Sequence, residues 1–266
     1  MLPANAAALP TFWEYTAPPA WASIDFISDL HLAHETPRTF SAWAEHMALT
    51  PADAVFILGD LFEAWVGDDS RSSGFEHECA RVLARAGRDL TLAFMVGNRD
   101  FLVGAALLDE CGVIALPDPT VLTAFGQRLL LSHGDALCLA DIDYQNYRTE
   151  VRSDAWRERF LAMPLAQRRA IARQLRDASE ARKHQTPMHE WADVDGAEAI
   201  RWMQASHAPV LIHGHTHRPG TSALAPNFVR HVLSDWDVEQ PPGRAQVLRL
   251  SASGLSRVAP STATAR

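Results

Sequence analysis

The chain has 266 residues, 47% of them hydrophobic, enough for one large domain or for a domain carrying an inserted cap. A formal charge of -8 argues against general nucleic-acid binding, which needs basic surface to offset the phosphates. No apolar run approaches the roughly 18 residues of a membrane-spanning helix. Cys79, Cys111 and Cys138 form neither a CxxC pair nor an even framework, which predicts structural thiols in a reducing compartment.

Residues 1–22 are rich in Ala and Pro, with Trp13 and Tyr15 but no Lys or Arg, and read as a loose leader rather than a signal peptide. A strand over 24–27 runs into Ser28-Asp29-Leu30-His31. A helix over 39–49 stops near Pro51, and a buried strand over 54–58 ends in Gly59-Asp60. Phe75, Cys79, Val82, Leu83 and Ala86 recur at helical spacing, so 74–86 is a helix with one apolar face. A strand over 90–96 ends in Gly97-Asn98-Arg99-Asp100, and 101–111 is a short helix. Residues 121–125 and 128–131 flank Gly126-Gln127 as a hairpin whose second arm leads to Ser132-His133-Gly134-Asp135. A strand over 210–212 ends in His213-Gly214-His215-Thr216-His217, and 228–233 and 246–250 close the fold.

Apolar strands therefore end repeatedly in Gly, Asp, Asn or His. Ligands of α/β folds bind outside the carboxyl ends of strands, so these side chains are expected on one edge. The expected class is α/β (α+β): two sheets packed as a sandwich, flanked by helices. Residues 139–207 interrupt the strand pattern with helical composition, and a structureless loop of that length would be unusual. The expected organisation is a leader at 1–22, a core at 23–138 and 208–258, an inserted helical cap at 139–207 and a flexible tail at 259–266.

The candidate ligands are Asp29, His31, Asp60, Asn98, His133, His215 and His217. Imidazole and oxygen donors together suit Mn, Fe, Zn or Co better than Ca or Mg. Seven donors exceed what one ion with open positions needs and fit two ions with a bridging carboxylate. Such a pair activates water and clamps a phosphoryl group, so no Ser, Cys or His nucleophile is required. Taken singly, Asp29 or Asp60 would be an ordinary strand-end turn residue, and His46, His77 or His184 a surface histidine. His213 is expected to support the site or to touch substrate, and Asp100 to orient its loop. Asp68 and Asp69 are as well explained as solvated turn residues.

The ordered set Asp29-x-His31, Gly59-Asp60, Gly97-Asn98-Arg99-Asp100, His133 and Gly214-His215-x-His217 resembles the calcineurin-like metallophosphoesterase superfamily. The longer runs around Gly59-Asp60 (Leu61-Phe62-Glu63-Ala64-Trp65), His133 (Gly134-Asp135-Ala136-Leu137-Cys138) and His213 (through Arg218-Pro219) resemble, within it, the UDP-2,3-diacylglucosamine pyrophosphohydrolases of lipid A synthesis. The likeness covers about Phe26 to Trp236. It implies attack of water on the α-phosphorus of an acylated UDP-sugar, giving UMP and 2,3-diacylglucosamine 1-phosphate. It also implies two manganese ions and a monomer on the cytoplasmic face of the inner membrane, held there peripherally, with no nucleic-acid partner.

By the same resemblance, Asp29, His31, Asp60 and His217 hold one ion and Asp60, Asn98, His133 and His215 the other. Asp60, Asn98, Arg99 and His133 form the catalytic set. Arg99 stands where many superfamily members have an acidic histidine. An arginine cannot give up a proton usefully at neutral pH, but it can fork phosphate oxygens. The implied substrate contacts are Asn98, Arg99, Asp141, Ser179, Lys183, Thr186 and His215. Lys183 falls where the family varies, and Thr186 replaces a usual lysine. Arg157, Arg159, Arg168, Arg169, Arg173 and Arg176 are open to two readings, a solvated face or a contact with anionic lipid heads. Two other functions compete. A soluble hydrolase of another nucleotide pyrophosphate would not need an apolar cap. A non-catalytic scaffold would have lost ligands.

Overall fold

The computed structural model describes residues 8–185 and 192–263, with side chains except those of residues 178–185. Two six-stranded sheets face each other. The first contains β2 (Ser23–Ile27), β3 (Ala54–Leu58), β4 (Thr91–Met95), β5 (Val113–Ala115), β11 (Val247–Ser251) and β12 (Gly254–Val258), in the order β12-β11-β2-β3-β4-β5. The second contains β1 (Trp13–Thr16), β6 (Thr120–Ala124), β7 (Gln127–Leu131), β8 (Val210–His213), β9 (Gly220–Ala225) and β10 (Phe228–Val232), in the order β1-β6-β7-β8-β10-β9.

Alternation along the strands builds the layers. Phe26, Ala54, Phe56, Leu58, Ala93 and Met95 point inward and meet Leu122, Leu129, Leu131 and Ile212 of the facing sheet. Their neighbours Ile27, Val55, Ile57, Leu92 and Phe94 point outward. There they pack under α1 (Pro37–Leu49), α2 (Gly74–Ala86) and α3 (Ala105–Cys111). On the far side, Val121, Leu130 and Leu211 pack under α7 (Gly196–Ala205) through Ala199, Trp202 and Met203. The result is four layers, helix–sheet–sheet–helix, a mixed α/β architecture in which strands buried on both faces read as continuous apolar runs.

Strand direction positions the site. β2, β3 and β4 are parallel neighbours in register, so Ser28-Asp29, Gly59-Asp60 and Gly97-Asn98 leave the same edge of their sheet. β7 and β8 are parallel too, which sets His133 beside the loop after His213. Between them run α4 (Ile142–Val151), α5 (Asp154–Leu161) and α6 (Leu165–Gln185).

Several expectations change. The leader is not wholly loose: Trp13–Thr16 pairs in parallel with β6, and Tyr15 packs edge-on against Phe56 at 5.6 Å. Four residues at a sheet edge carry too short a pattern to be read without their partner. The tail is held as far as Ala263, where the Ser261 N–H donates to His46 Nδ1 at 3.1 Å and the Ala263 N–H to Glu45 Oε1 at 2.7 Å. His46 is fully buried, not superficial. The short helix starts at Ala105, four residues later than expected, because Asp68 carboxylate oxygens accept the Gly104 and Leu107 N–H groups. That cap gives Asp68 a structural task. All three cysteines are free and buried, and no helix among the described residues is long and apolar enough to cross a membrane.

Candidate metal centre and active-site cavity

The predicted ligands meet. His31 Nε2 lies 3.1 Å from His217 Nε2 and 3.9 Å from Asp60 Oδ2. Asp29 Oδ1 is 3.5 Å from His217 Nε2, and Asp60 Oδ1 is 3.7 Å from His133 Nε2. Asn98 Oδ1 sits between His133 Nε2 at 3.0 Å and His215 Nδ1 at 2.8 Å. Asp60 thus reaches a histidine on either side. Two groups, Asp29–His31–His217 and Asp29–Asp60–His133, have ligand atoms within 4.8 Å of one another.

The backbone is bent to achieve this. Eight non-glycine residues among those described have positive φ, and five are predicted ligands: Asp29 at 56°, His31 at 49°, Asp60 at 54°, His215 at 67° and His217 at 52°. That conformation costs of order 1 kcal/mol or more per residue, and surroundings must impose it. The neighbouring glycines make room. A Cβ on Gly97 would sit 2.1 Å from Asp60 Oδ1, and one on Gly214 would sit 2.3 Å from Asp29 Oδ2.

A cation fits this donor set. His133 Nδ1 donates to the Leu58 carbonyl at 2.9 Å, so its Nε2 lone pair faces the oxygens of Asn98 and Asp60. His31 Nδ1 faces Glu63 Oε2 at 3.1 Å, which turns its Nε2 lone pair toward the nearby His217 nitrogen. Lone pairs converging on carboxylates and on each other call for positive charge between them. The pKa values carry the same message. Burial works against a charged His133, yet Asp60, Asp135 and Asp29 outweigh it and push the imidazole up to about 9. Burial opposes the Asp29 charge as well, but the hydrogen bond and charge of His217 hold the carboxyl well below the usual range.

Further carboxylates hold the ligand loops. Asp100, pushed up to about 7 by burial and then by Asp60, accepts N–H groups from Gly97 at 2.7 Å and Leu61 at 2.8 Å. It ties the second and third ligand loops together, the orienting task expected of it. Asp60 itself accepts the Arg99 N–H at 2.8 Å. Asp135 binds Tyr144 Oη at 2.6 Å, Arg148 Nε at 2.8 Å and Arg152 Nη2 at 3.1 Å, which fastens α4 to the floor of the site. Burial penalises this carboxylate, but Arg152 and Arg148 keep it strongly ionised. Asp235 Oδ2 lies 3.9 Å from His217 Nδ1. The sequence reading assigned no task to Glu63, Asp135 or Asp235. A signal for two of them existed: Glu63 and Asp135 follow a ligand by three and two residues, as Asp100 follows Asn98.

His213 is buried and stays neutral. Its pKa falls to about 4 through burial, and its Nδ1 donates to the Gly214 carbonyl at 2.8 Å. It supports the ligand loop and is not among the residues lining the cavity.

Above the ligands opens a cavity of about 740 Å³. One end is polar, with His31, Asp60, Asn98, Arg99, His215 and His217; the other is apolar, with Trp65, Val66, Phe101, Leu102, Trp156, Phe160 and Leu175. Trp156 stacks on Phe160 at 4.6 Å and tilts against Phe101 at 5.9 Å, so this wall joins the inserted segment to the core. Asp141 also lines the cavity and caps α4 by accepting the Tyr144 N–H at 3.0 Å. Ser179 and Lys183 have side chains outside the described set, and Thr186 lies outside the described residues.

Three of the six cap arginines pair with carboxylates of the core, and one of them, Arg168, is withdrawn from solvent. Arg168 is buried and binds Asp69 and the Val66 carbonyl, Arg169 reaches Glu76 at 3.1 Å, and Arg176 reaches Glu63 at 3.4 Å. Their partners lie far away in sequence, so helix periodicity alone could not show that the arginines dock the helix on the core. The same pairing makes Asp69 an anchor for α6.

The model of the calcineurin-like phosphoesterase family matches residues 22–219. The chain belongs to this family. Among relatives of this calcineurin-like phosphoesterase, a protein of Chromobacterium violaceum named UDP-2,3-diacylglucosamine hydrolase is 44% identical over 241 residues, 88% of this chain and 97% of that one. A protein of the same name from Xanthomonas campestris pv. campestris is 41% identical over 242 residues, 87% of this chain and 96% of its own length.

Proposed function

We propose that this phosphoesterase hydrolyses the pyrophosphate of UDP-2,3-diacylglucosamine, a step of lipid A biosynthesis, by water attack on the α-phosphorus. The products are UMP and 2,3-diacylglucosamine 1-phosphate. One observation carries the reading: the imidazole and carboxylate floor and the aromatic wall belong to one cavity, in a chain 41–44% identical to proteins named for that substrate. A nucleotide pyrophosphate alone would leave the apolar end without a ligand. Each methylene of an acyl chain placed there contributes about 0.8 kcal/mol.

Two manganese ions are the proposed cofactor. Asp29, His31, Asp60 and His217 would hold one, and Asp60, Asn98, His133 and His215 the other. When bound, the pair supplies an acidified water and neutralises phosphoryl charge. The chain's own residues do the rest. The carbonyl of Leu58 and the carboxylate of Glu63 fix the tautomers of His133 and His31. Asn98 and His215 bring a neutral edge to the phosphate site, since burial, followed by the charge of His133, lowers His215 to about 4. Arg99 offers its guanidinium to phosphate oxygens and matches the charge that grows in the transition state. The departing phosphate is a stable anion, so the absence of a proton donor at position 99 costs little.

The discriminating assay measures UMP release from UDP-2,3-diacylglucosamine and from unacylated UDP-N-acetylglucosamine. Strong preference for the acylated substrate is expected; equal rates would overturn the lipid assignment and favour a soluble nucleotide hydrolase. Exhaustive treatment with EDTA should abolish turnover, and Mn²⁺ should restore it better than Mg²⁺ or Ca²⁺. Full activity after chelation would end the metal mechanism.

Peripheral attachment to the inner membrane's cytoplasmic face follows from the same substrate. Tyr147 and Leu175 line the cavity and also reach solvent, and Leu139, Ile142 and Leu161 are exposed on the same inserted segment. The protein should co-sediment with anionic phospholipid vesicles. Replacing Ile142, which is 68% exposed, by Asp should weaken that association. Equal sedimentation of both proteins would place the contact elsewhere.

A further inference from the structure

Glu63 is where an imidazole and two guanidinium groups from three parts of the fold meet. Its Oε2 lies 3.1 Å from Nδ1 of His31, on the loop after β2. Its Oε1 lies 3.3 Å from Nη1 of Arg99, on the loop after β4, and 3.4 Å from Nε of Arg176, on α6. The side chain is only 15% exposed and lines the cavity. A carboxylate beside a site for phosphates repels the substrate, so its position calls for a compensating task.

We propose that Glu63 is a positioning residue whose two oxygens do separate work. This rests on the metallophosphoesterase reading of the site. Oε2, 3.1 Å from His31 Nδ1, favours the tautomer that carries the proton there, which leaves the Nε2 lone pair free on the side of His217 and Asp60. Without that acceptor the imidazole can take the other tautomer or turn over. Oε1 draws together two guanidinium groups that would otherwise repel each other. Arg99 gives Oε1 one N–H of its five and Arg176 an ion pair, so both arginines keep donors for phosphate oxygens while their aim is fixed beforehand. Arg176 belongs to the inserted segment, so Glu63 also ties that segment's position to the ligand loops.

The test compares Glu63→Ala with Glu63→Gln. Calorimetric titration with Mn²⁺ alone should show affinity reduced about 10- to 100-fold in the alanine variant. The glutamine variant should lose clearly less, because its amide oxygen still accepts from His31. Wild-type affinity in Glu63→Ala would overturn the assignment to His31. The kinetic arm uses UDP-2,3-diacylglucosamine and also bis(4-nitrophenyl) phosphate, whose hydrolysis needs no lipid recognition. In Glu63→Gln, kcat should fall on the order of 10- to 100-fold through lost alignment of the arginines. KM should not rise, because a negative charge has been removed from an anion site. Unchanged kcat, or a raised KM, would overturn the second half. A merely structural Glu63 would lower the melting temperature and leave kcat of the folded protein intact. Wild-type turnover of the nitrophenyl ester alone would sink the lipid substrate and leave the Glu63 result standing.

Discussion

Replacing Asp60 by alanine is expected to lower turnover on the order of 10³-fold or more, corresponding to about 4 kcal/mol of transition-state stabilisation. The Asp60 side chain lies between two histidines of the cluster. Its two oxygens face His31 at 3.9 Å and His133 at 3.7 Å, and Oδ1 also accepts the Arg99 N–H at 2.8 Å. Truncation removes the charge that both histidines share and frees the loop that carries Arg99. Metal analysis of the dialysed variant should show the bound ion content falling with activity. Near-wild-type turnover with full metal content would refute Asp60 as the shared ligand and shift that role to Asp29, which lies within reach of His217 and of the Asp60–His133 group.

Arg99→Ala should behave differently. The loss of a positioned charge opposite developing anionic oxygens is expected to lower kcat about 10²- to 10³-fold. Metal content should stay at the wild-type level. The separation arises because the Arg99 link to Asp60 runs through its backbone N–H, which alanine retains, while its guanidinium points to Glu63 and the cavity. Steady-state kinetics paired with metal analysis of the same preparation checks both halves. Loss of metal in this variant would make Arg99 a structural residue of the loop.

The convergent set of candidate ligands was legible in the sequence for a local reason. Asp60, Asn98, His133 and His215 each follow an apolar strand closely and stand beside a glycine, and both the strand and the glycine are short-range features. Glycine is required where a Cβ on Gly59 or Gly97 would strike His133 or Asp60, so strand, glycine and ligand occur together as a readable unit. Parallel pairing of β2, β3 and β4 then brings these units to one edge. The alternation of Ala54, Phe56 and Leu58 against Val55 and Ile57 likewise pointed to a strand covered on both faces.

By itself, then, the sequence determined the strands that lead into the candidate ligands, the identity of the seven convergent side chains and their polar edge. Tertiary structure alone decided who meets whom across long stretches of chain. It buried His46 against the C-terminal segment and turned Trp13–Thr16 into an edge strand. It paired Arg168, Arg169 and Arg176 with carboxylates of the core, so that they help to dock a helix. It also gave Glu63, Asp100 and Asp135 their partners. The physical reason is range: a strand-end turn is specified by its neighbours along the chain, whereas a buried charge takes whichever counter-charge the packing of distant elements brings within hydrogen-bond distance.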